Sequence, residues 1–292
     1  MRITGHRMID LSAASTAKHQ ETVATRSAEV SSGLRVTKPS DDPTAWASAE
    51  RAKVRKVISD GTGAAVKASR DRLEETDGAL ASIGDIVSRV HELAVQGANA
   101  TYSSTDRAAL GDEIHALFLS ALGSANTQSS NGEYLFAGSL SDKAPFDATG
   151  AYLGDSLGRL VPAGENANSI ATIPGSRLTA GYGVDVLPLL ERVATALSSN
   201  NLTALQGTIA ELQTAVHQVG TTRTVTGGAM NVLDSTVQAR DLLSQHLSVE
   251  ISNSVESDSI ASASALASAS TALEASRSVT AHLVALLDPR SS

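Results

Sequence analysis

No cysteine occurs in this chain, so disulfides, thiolate metal sites and cysteine nucleophiles are excluded together. Aromatic residues make up only 3% of the 292 positions, with one Trp, three Phe and four Tyr. A thick enzyme core normally holds more. No stretch reaches the roughly 20 apolar residues that cross a bilayer. The opening MRITGHRMID lacks the apolar segment of a secretory signal. The expectation is a protein that stays inside the cell or leaves by a route that reads no such signal. The net charge is −8 and no basic cluster stands out, so phosphate neutralisation of nucleic acid is not expected.

Reactive constellations are also missing. No lysine precedes Ser or Thr, which removes the P-loop. Gly61-Thr62-Gly63 has no third glycine at the dinucleotide spacing, and there is no G-x-S-x-G elbow. No two of the seven histidines lie closer than thirteen positions, and His91-Glu92 has no second His at zincin spacing. Each histidine reads as a half-exposed helical residue rather than a ligand or base. No catalytic residue, metal or cofactor is expected, and the chain does not read as an enzyme.

What the sequence does contain is long helical periodicity built from Ala, Ser, Thr and short aliphatics. Val255, Ser259, Ser262, Leu266, Ala269, Leu273, Ser276, Thr280, Leu283 and Leu287 alternate at spacings of four and three, the a/d pattern of a coiled coil. So thin a stripe buries little area and needs a close partner. The N-terminal segment offers one through Ile3, Met8, Ile9, Leu11, Ala14 and Ala17, then Val23, Ala24, Ala28, Val30 and Leu34. Residues 5–34 read as one helix. Gly33 can end it, Pro39 forbids continuation, and Asp42 with Pro43 forms an N-cap and N1 pair for the next. Asp41 and Asp42 have a second reading, as a cation site or acid–base pair. Trp46 is either a buried anchor or an interface residue.

The second helix reads over 43–99 with the seam Val66, Ser69, Leu73, Thr76, Leu80, Ile83, Val87, Val90, Ala94 and Gly97. Thr105 is the expected N-cap of a third, which runs to about residue 130 through Leu110, Ile114, Leu117, Ala121 and Ser124. Residues 131–184 collect Gly, Pro and aromatics. Short strands are expected at Tyr134–Ala137, Tyr152–Leu153, Leu160–Val161 and Ile170–Ile173. Helix returns at Asp185, breaks at Ser198–Asn201 and continues to the end, weakened at Gly227 and Gly228. Asn99-Ala100-Thr101 and Asn201-Leu202-Thr203 match a glycosylation pattern, yet both also suit turns and caps.

The expected fold is mainly α: an elongated antiparallel helical rod or coiled-coil bundle formed by the N- and C-terminal segments, with a small β-rich inserted domain budding from the middle as a separable module. Its expected parts are 1–42 with 251–292 as a terminal coiled coil, 43–130 with 185–250 as a helical rod, and 131–184 as the insert.

Two segments, SSGLRVTKPSDDP (31–43) and VHELAVQGANATYSSTDRAALGDEI (90–114), resemble flagellin-like proteins. NGEYLFAGSLSDKAPF (131–146), followed by AYLGD (151–155) and IPG (173–175), resembles the hook–filament junction family, the flagellar hook-associated protein 3 group. The resemblance implies an extracellular structural adaptor of the bacterial flagellum, exported unfolded by the flagellar type III apparatus. It implies a ring of copies of the chain between the first hook-associated junction protein and flagellin, with an export chaperone. A short flagellin that forms the filament itself is the alternative. By position, Ser31–Pro43, including Leu34, Asp41, Asp42 and Pro43, becomes the connector between inner and outer layers. Leu266, Leu273, Leu283, Leu286 and Leu287 become core-forming, opposite Ile3, Met8 and Leu11. A soluble signalling coiled coil is a third reading, disfavoured by the insert.

Overall fold

A computed structural model describes residues 2–164 and 167–287, with side chains described from Arg7 to Ala285. The elements are α1 (Arg2–Ser32), α2 (Pro43–Gly97), α3 (Ser104–Ala125), β1 (Leu160–Pro162), β2 (Asn168–Ile170), α4 (Val186–Ser198), α5 (Leu202–Val255) and α6 (Ser259–Leu287). The protein is mainly α with a small two-stranded antiparallel sheet, in which Val161 pairs with Ser169. The chain divides into two compact units: Met1–Ile58 with Leu243–Ser292, and Ser59–Leu242.

In the second unit, small residues set the packing of the long helices. The α2 seam lies as expected: Val66, Leu73, Thr76, Leu80, Ile83, Val87, Val90 and Ala94 are buried. The buried row of α5 runs Leu205, Thr208, Leu212, Ala215, Val219, Thr222, Thr226, Ala229, Leu233 and Thr236, leaving Ile209 and Val216 at its edge, and it passes Gly227–Gly228 without a break. The threonines fit because their hydroxyls donate to carbonyls of their own helix: Thr222 to Gln218, Thr226 to Thr222, and Thr76 to Arg72, at 2.8–2.9 Å. A threonine satisfied this way is a compact filler with no stranded polar group.

α3 begins at Ser104, with Ser103 and not Thr105 as its cap. The Ser103 hydroxyl accepts from Asp106 N–H, and the Asp106 carboxylate accepts from Ser103 N–H, a capping box. Buried Arg107 braces the helix ends nearby. Its Nε donates to Gly97 O at 2.8 Å, Nη1 to Asn200 Oδ1 at 2.8 Å and Nη2 to Asn99 O at 3.0 Å. The orphan carbonyls at the end of α2 are thereby satisfied. The two glycosylation-like asparagines act as turn and cap: Asn99 Oδ1 accepts from Thr101 and Asn201 Oδ1 from Ala204 N–H. α3 and α4 approach closely at Gly111, where any Cβ would meet the Ser198 hydroxyl and sit 3.0 Å from Ala194 O.

The insert has fewer strands than expected. The expected pairs at 160–161 and 170 form β1 and β2, but Tyr134 and Tyr152 make only isolated bridges, to Gln128 and Phe146. Side-chain and backbone polar groups hold the remaining loops. Phe136 O accepts from Gly175 N–H at 2.8 Å and lies 3.0 Å from the Tyr152 hydroxyl. The Asp155 carboxylate accepts from the backbone N–H of Ser139 and Leu157. Gly175 lies so close to the Phe146 and Tyr152 rings that a Cβ would stand 2.9 Å from Phe146. Burial pushes the Tyr152 hydroxyl up to about 12, so it stays a neutral donor. The three motif pieces NGEYLFAG, AYLGD and IPG are thus one interlocked knot.

Nor does this knot bud away from the helices as a separable module. Leu135, Phe136, Phe146 and Leu178 belong to the same core as Leu80, Ile114, Phe118 and Leu190, while Val161, Ala171 and Ile173 cover Val66, Leu73, Ala229 and Leu233. A half-buried ion pair adds to the attachment: buried Arg72 donates to Glu133 at 2.6 Å and to Tyr134 O at 2.7 Å, and exposed Arg159 meets the same Glu133 at 2.9 Å. The helices are finished by the insert because their seams are too thin to close alone.

Two substitutions separate these effects. Gly111→Ala is expected to destabilise the unit by about 1–3 kcal/mol through the backbone clash, whereas Gly78→Ala, at an open helical surface, is expected to stabilise by up to about 1 kcal/mol. Urea unfolding followed by circular dichroism reads both, and equal effects at the two sites would contradict the packing described. Replacing residues 139–182 with a short linker is expected to abolish cooperative unfolding, because it strips Phe146, Val161, Ile173 and Leu178 from the core.

Candidate assembly surface

α1 and α6 pack antiparallel, and polar groups occupy their seam. Ser12 Oγ lies 2.7 Å from Thr280 Oγ1, and Thr16 Oγ1 lies 2.8 Å from Ser276 Oγ. The same register puts His19 level with Leu273 and Val23 level with Ala269. On α6 the covered row is Ser262, Leu266, Ala269, Leu273, Ser276, Thr280 and Leu283, the a/d positions of the sequence. On α1 the covered row is Ile9, Ser12, Thr16, His19, Val23 and Arg26, also at spacings of three and four.

This corrects the expected partner face. Met8 and Leu11 point outward, 61% and 76% exposed, and Val30, Ala14, Ala17, Ala24 and Ala28 are also exposed. The apolar count of α1 misleads because small hydroxyls meeting across a narrow seam allow closer helix approach than Met or Leu, and each pair satisfies both partners for a net gain of about 0.5–1.5 kcal/mol. The outer face therefore keeps the large apolar groups. α6 adds Ile260, Val279 and Val284 to the exposed apolar surface. Leu266, Leu273 and Leu283 are committed within the chain. The side chains of Ile3, Leu286 and Leu287 lie outside the described ones.

The connector between α1 and α2 closes the end of this pair. Gly33 takes a left-handed φ of 70° and its N–H donates to Glu29 O at 2.9 Å, ending α1. The chain then crosses the end of α5. Val255 O accepts from Arg35 N–H at 2.7 Å and Val36 N–H at 3.2 Å, and Arg35 Nη2 donates to Ser254 O at 3.0 Å. Leu34 bridges Glu256, and Val36 is buried with Ala49 and Val255. Half-buried Trp46 packs against this small core with Lys53 above its ring at 5.6 Å.

Asp41 and Asp42 are structural here. One Asp41 oxygen accepts from Thr37 N–H at 3.0 Å, Thr37 hydroxyl at 3.0 Å and Lys38 N–H at 3.1 Å. Asp42 caps α2 by accepting from Ala45 N–H at 3.0 Å, and its other oxygen meets Arg35 at 3.2 Å. Pro43 opens α2 where its missing N–H leaves nothing unpaired. The backbone N–H of Thr37 lowers the Asp41 pKa most. The backbone N–H of Ala45, then Arg35, lower that of Asp42. Arg35 and Arg107 were not singled out in the sequence, although both lie inside the flagellin-like segments; their roles depend on carbonyls far along the chain, which no local pattern reveals. Among the described residues the histidines form no cluster and no group of three potential metal ligands occurs; His115 pairs with Glu191 at 2.8 Å.

The helical pair, its glycine-ended connector and the long helices that follow are where the chain is similar to known proteins. Residues 6–141 match the bacterial flagellin N-terminal helical region. The chain is 29% identical over 155 residues to flagellar hook-associated protein 3 of Salmonella typhimurium, covering 53% of this chain and 49% of that protein. The alignment thus spans about half the length of that relative. It is 27% identical over 248 residues to flagellin FlaB1 of Treponema pallidum, covering 84% and 83% of the two. A solved structure of a flagellar hook-associated protein from Vibrio parahaemolyticus shares the fold, with a TM-score of 0.67 and 20% identity over 74% of this chain and all of that one.

The depressed carboxylates make the connector acid-sensitive. An aspartate whose folded pKa is lowered stabilises the fold above its unfolded value of 3.8, and that stabilisation is lost as pH falls below it through the folded value. Emission from Trp46, the sole tryptophan, is expected to report loosening of the connector below that pH. Asp41→Asn and Asp42→Asn are each expected to flatten the acid transition. An unchanged titration in both variants would refute the assigned bonds.

Proposed function

We propose that this chain is a structural adaptor of the bacterial flagellum, joining the hook to the flagellin filament. The supporting observation is the terminal helix pair of a flagellin-like chain: its seam is filled by hydroxyls, while Met8, Leu11, Ile260, Val279 and Val284 stay uncovered in a single copy. Large apolar groups on an outer face call for a covering surface. In this reading residues 1–42 with 251–292 form the inner coiled-coil layer, 43–130 with 185–250 the outer rod, and 131–184 face solvent. The chain is exported by the flagellar type III route and works outside the cell. Its partners are copies of itself in a ring, flagellin, the first hook-associated junction protein and an export chaperone. Its role is mechanical and not catalytic.

A second reading, a short flagellin, is favoured by one observation, the alignment to a flagellin over most of the chain. The insert motif, which resembles the junction group, favours the first.

A deletion strain separates them. The adaptor reading expects immotile cells that keep hooks and shed unpolymerised flagellin; polymerisation of the purified chain into long filaments without a hook primer would instead establish the flagellin reading. In that strain, Met8→Asp with Leu11→Asp is expected to fail to restore motility while the purified variant keeps its helical content by circular dichroism. Full motility from the variant would remove the outer face of α1 from the assembly surface.

A further inference from the structure

The two halves of α2 carry opposite charge. Four of the six residues from Arg51 to Lys56 are basic, although the chain as a whole has a net charge of −8. Residues 71–85 carry Asp71, Glu74, Glu75, Asp77 and Asp85 against Arg72 alone. The absence of a basic cluster inferred from composition therefore fails locally. Interleaved with the basic residues are exposed Val54, Val57 and Ile58, at 58%, 71% and 63%. The buried positions on this stretch are Ala49, Ala52 and Ser59, so Arg51, Val54, Arg55 and Ile58 form one outward stripe at spacings of three, one and three. Arg51 donates only to a carbonyl of its own helix, and exposed Arg55 makes no ion pair among the described residues. In the acidic half, Glu75 and Asp85 are exposed and also make no ion pair.

Folding of the single chain uses this charge only in part: Arg70 pairs with Asp71 and Glu74, and Arg223 with Asp77, while exposed Glu75 and Asp85 feel Arg72 and Arg223 without a close ion pair and Arg55 has none among the described residues. A positive apolar stripe on an acidic molecule finds its complement on another copy.

We infer that the stripe Arg51–Val54–Arg55–Ile58 is a docking surface for a second copy of this chain, which it meets at the acidic half of α2 around Glu75 and Asp85. The two surfaces are different, so the contact is heterologous: each copy offers both, and association runs on into rings or helical stacks rather than stopping at a symmetric dimer. This deepens the adaptor reading by naming a contact between copies. It can fail without that reading failing, because the deletion-strain outcome does not involve these residues.

The test uses the purified full chain in sedimentation velocity over a wide concentration range. Self-association is expected at low salt and should weaken in molar salt, where surface charges are screened. R51E/R55E is expected to weaken it by roughly fivefold or more, as two exposed pairs allow, and E75K/D85K alone by a similar factor. The mixture of the two variants is expected to associate again, since each reversed surface then meets its opposite. Circular dichroism confirms that both variants fold. A chain that stays monomeric at low salt, an unchanged association in R51E/R55E, or a mixture no stronger than its components would each overturn the proposal. Binding of the monomeric chain to a polyglutamate probe but not to itself would assign the stripe to a different acidic partner and overturn the second-copy assignment.

Discussion

Close approach of long helices through small side chains is the constraint on which the rest of this structure depends. A seam of Ala, Thr and Val brings backbones together but removes little apolar area from water for each residue. The second unit therefore recruits the loop knot between α3 and α4. Phe136, Phe146, Leu178 and Ile173 supply the bulk that the helical seams lack, and the Arg72–Glu133–Arg159 cluster fastens it. Phe136, Phe146 and Tyr152 of the insert join the large cluster of Leu80, Ile114, Phe118 and Leu190, whereas the thinner stretch at Val66 and Leu233 is covered by Val161, Ala171 and Ile173. Threonine suits the seams for the same reason: it has nearly the volume of valine and hydrogen-bonds to its own helix.

In the first unit the problem is solved with less apolar material. The crossing of α5 by the connector satisfies carbonyls that a helix end leaves open, and a single arginine performs much of that work. Arg35 donates from its backbone to Val255 O, from its side chain to Ser254 O, and pairs with Asp42, which in turn caps α2. Two helix ends are joined by one side chain. The parallel with Arg107, which joins the end of α2 to the loop before α5, shows the same device used at a second turn.

Element existence was legible from periodicity, because 3.6-residue repeats sustained over fifty residues leave little choice. The α2 seam, the α6 row and the Asp42–Pro43 start all follow from local rules. Three features did not. The inner face of α1 was misassigned because hydrophobicity was taken as the marker of burial, whereas Ser12 and Thr16 are half-buried by meeting Ser276 and Thr280, residues more than 250 positions away. The buried threonines of α5 escaped notice for a related reason, being satisfied within their own helix. The insert was read as strands because Tyr134 and Tyr152 have strand propensity; their backbones instead serve single bridges around a knot made by Asp155, Gly175 and Phe136 O. In each case side-chain hydrogen bonding overrode propensity, between distant residues at α1 and in the insert and within one helix at α5.

The placement of polar and apolar groups on α1 carries a further consequence. Turning the α1 face by one position would bring Met8 and Leu11 inward, but it would also put Lys18 and Thr22 in place of His19 and Val23. The observed arrangement avoids that exchange. It fixes a single register, because a slip along α1 leaves hydroxyls facing alanine or leucine, and it holds the large apolar groups in reserve. Such a pair is stable only modestly by itself, and any surface that covers Met8, Leu11 and Ile260 adds to its stability by mass action, in proportion to the affinity for the folded form alone. Under the adaptor reading, folding of the ends and association with neighbours become one coupled equilibrium, in which the polar seam sets the register and the outer face is what a neighbour would cover.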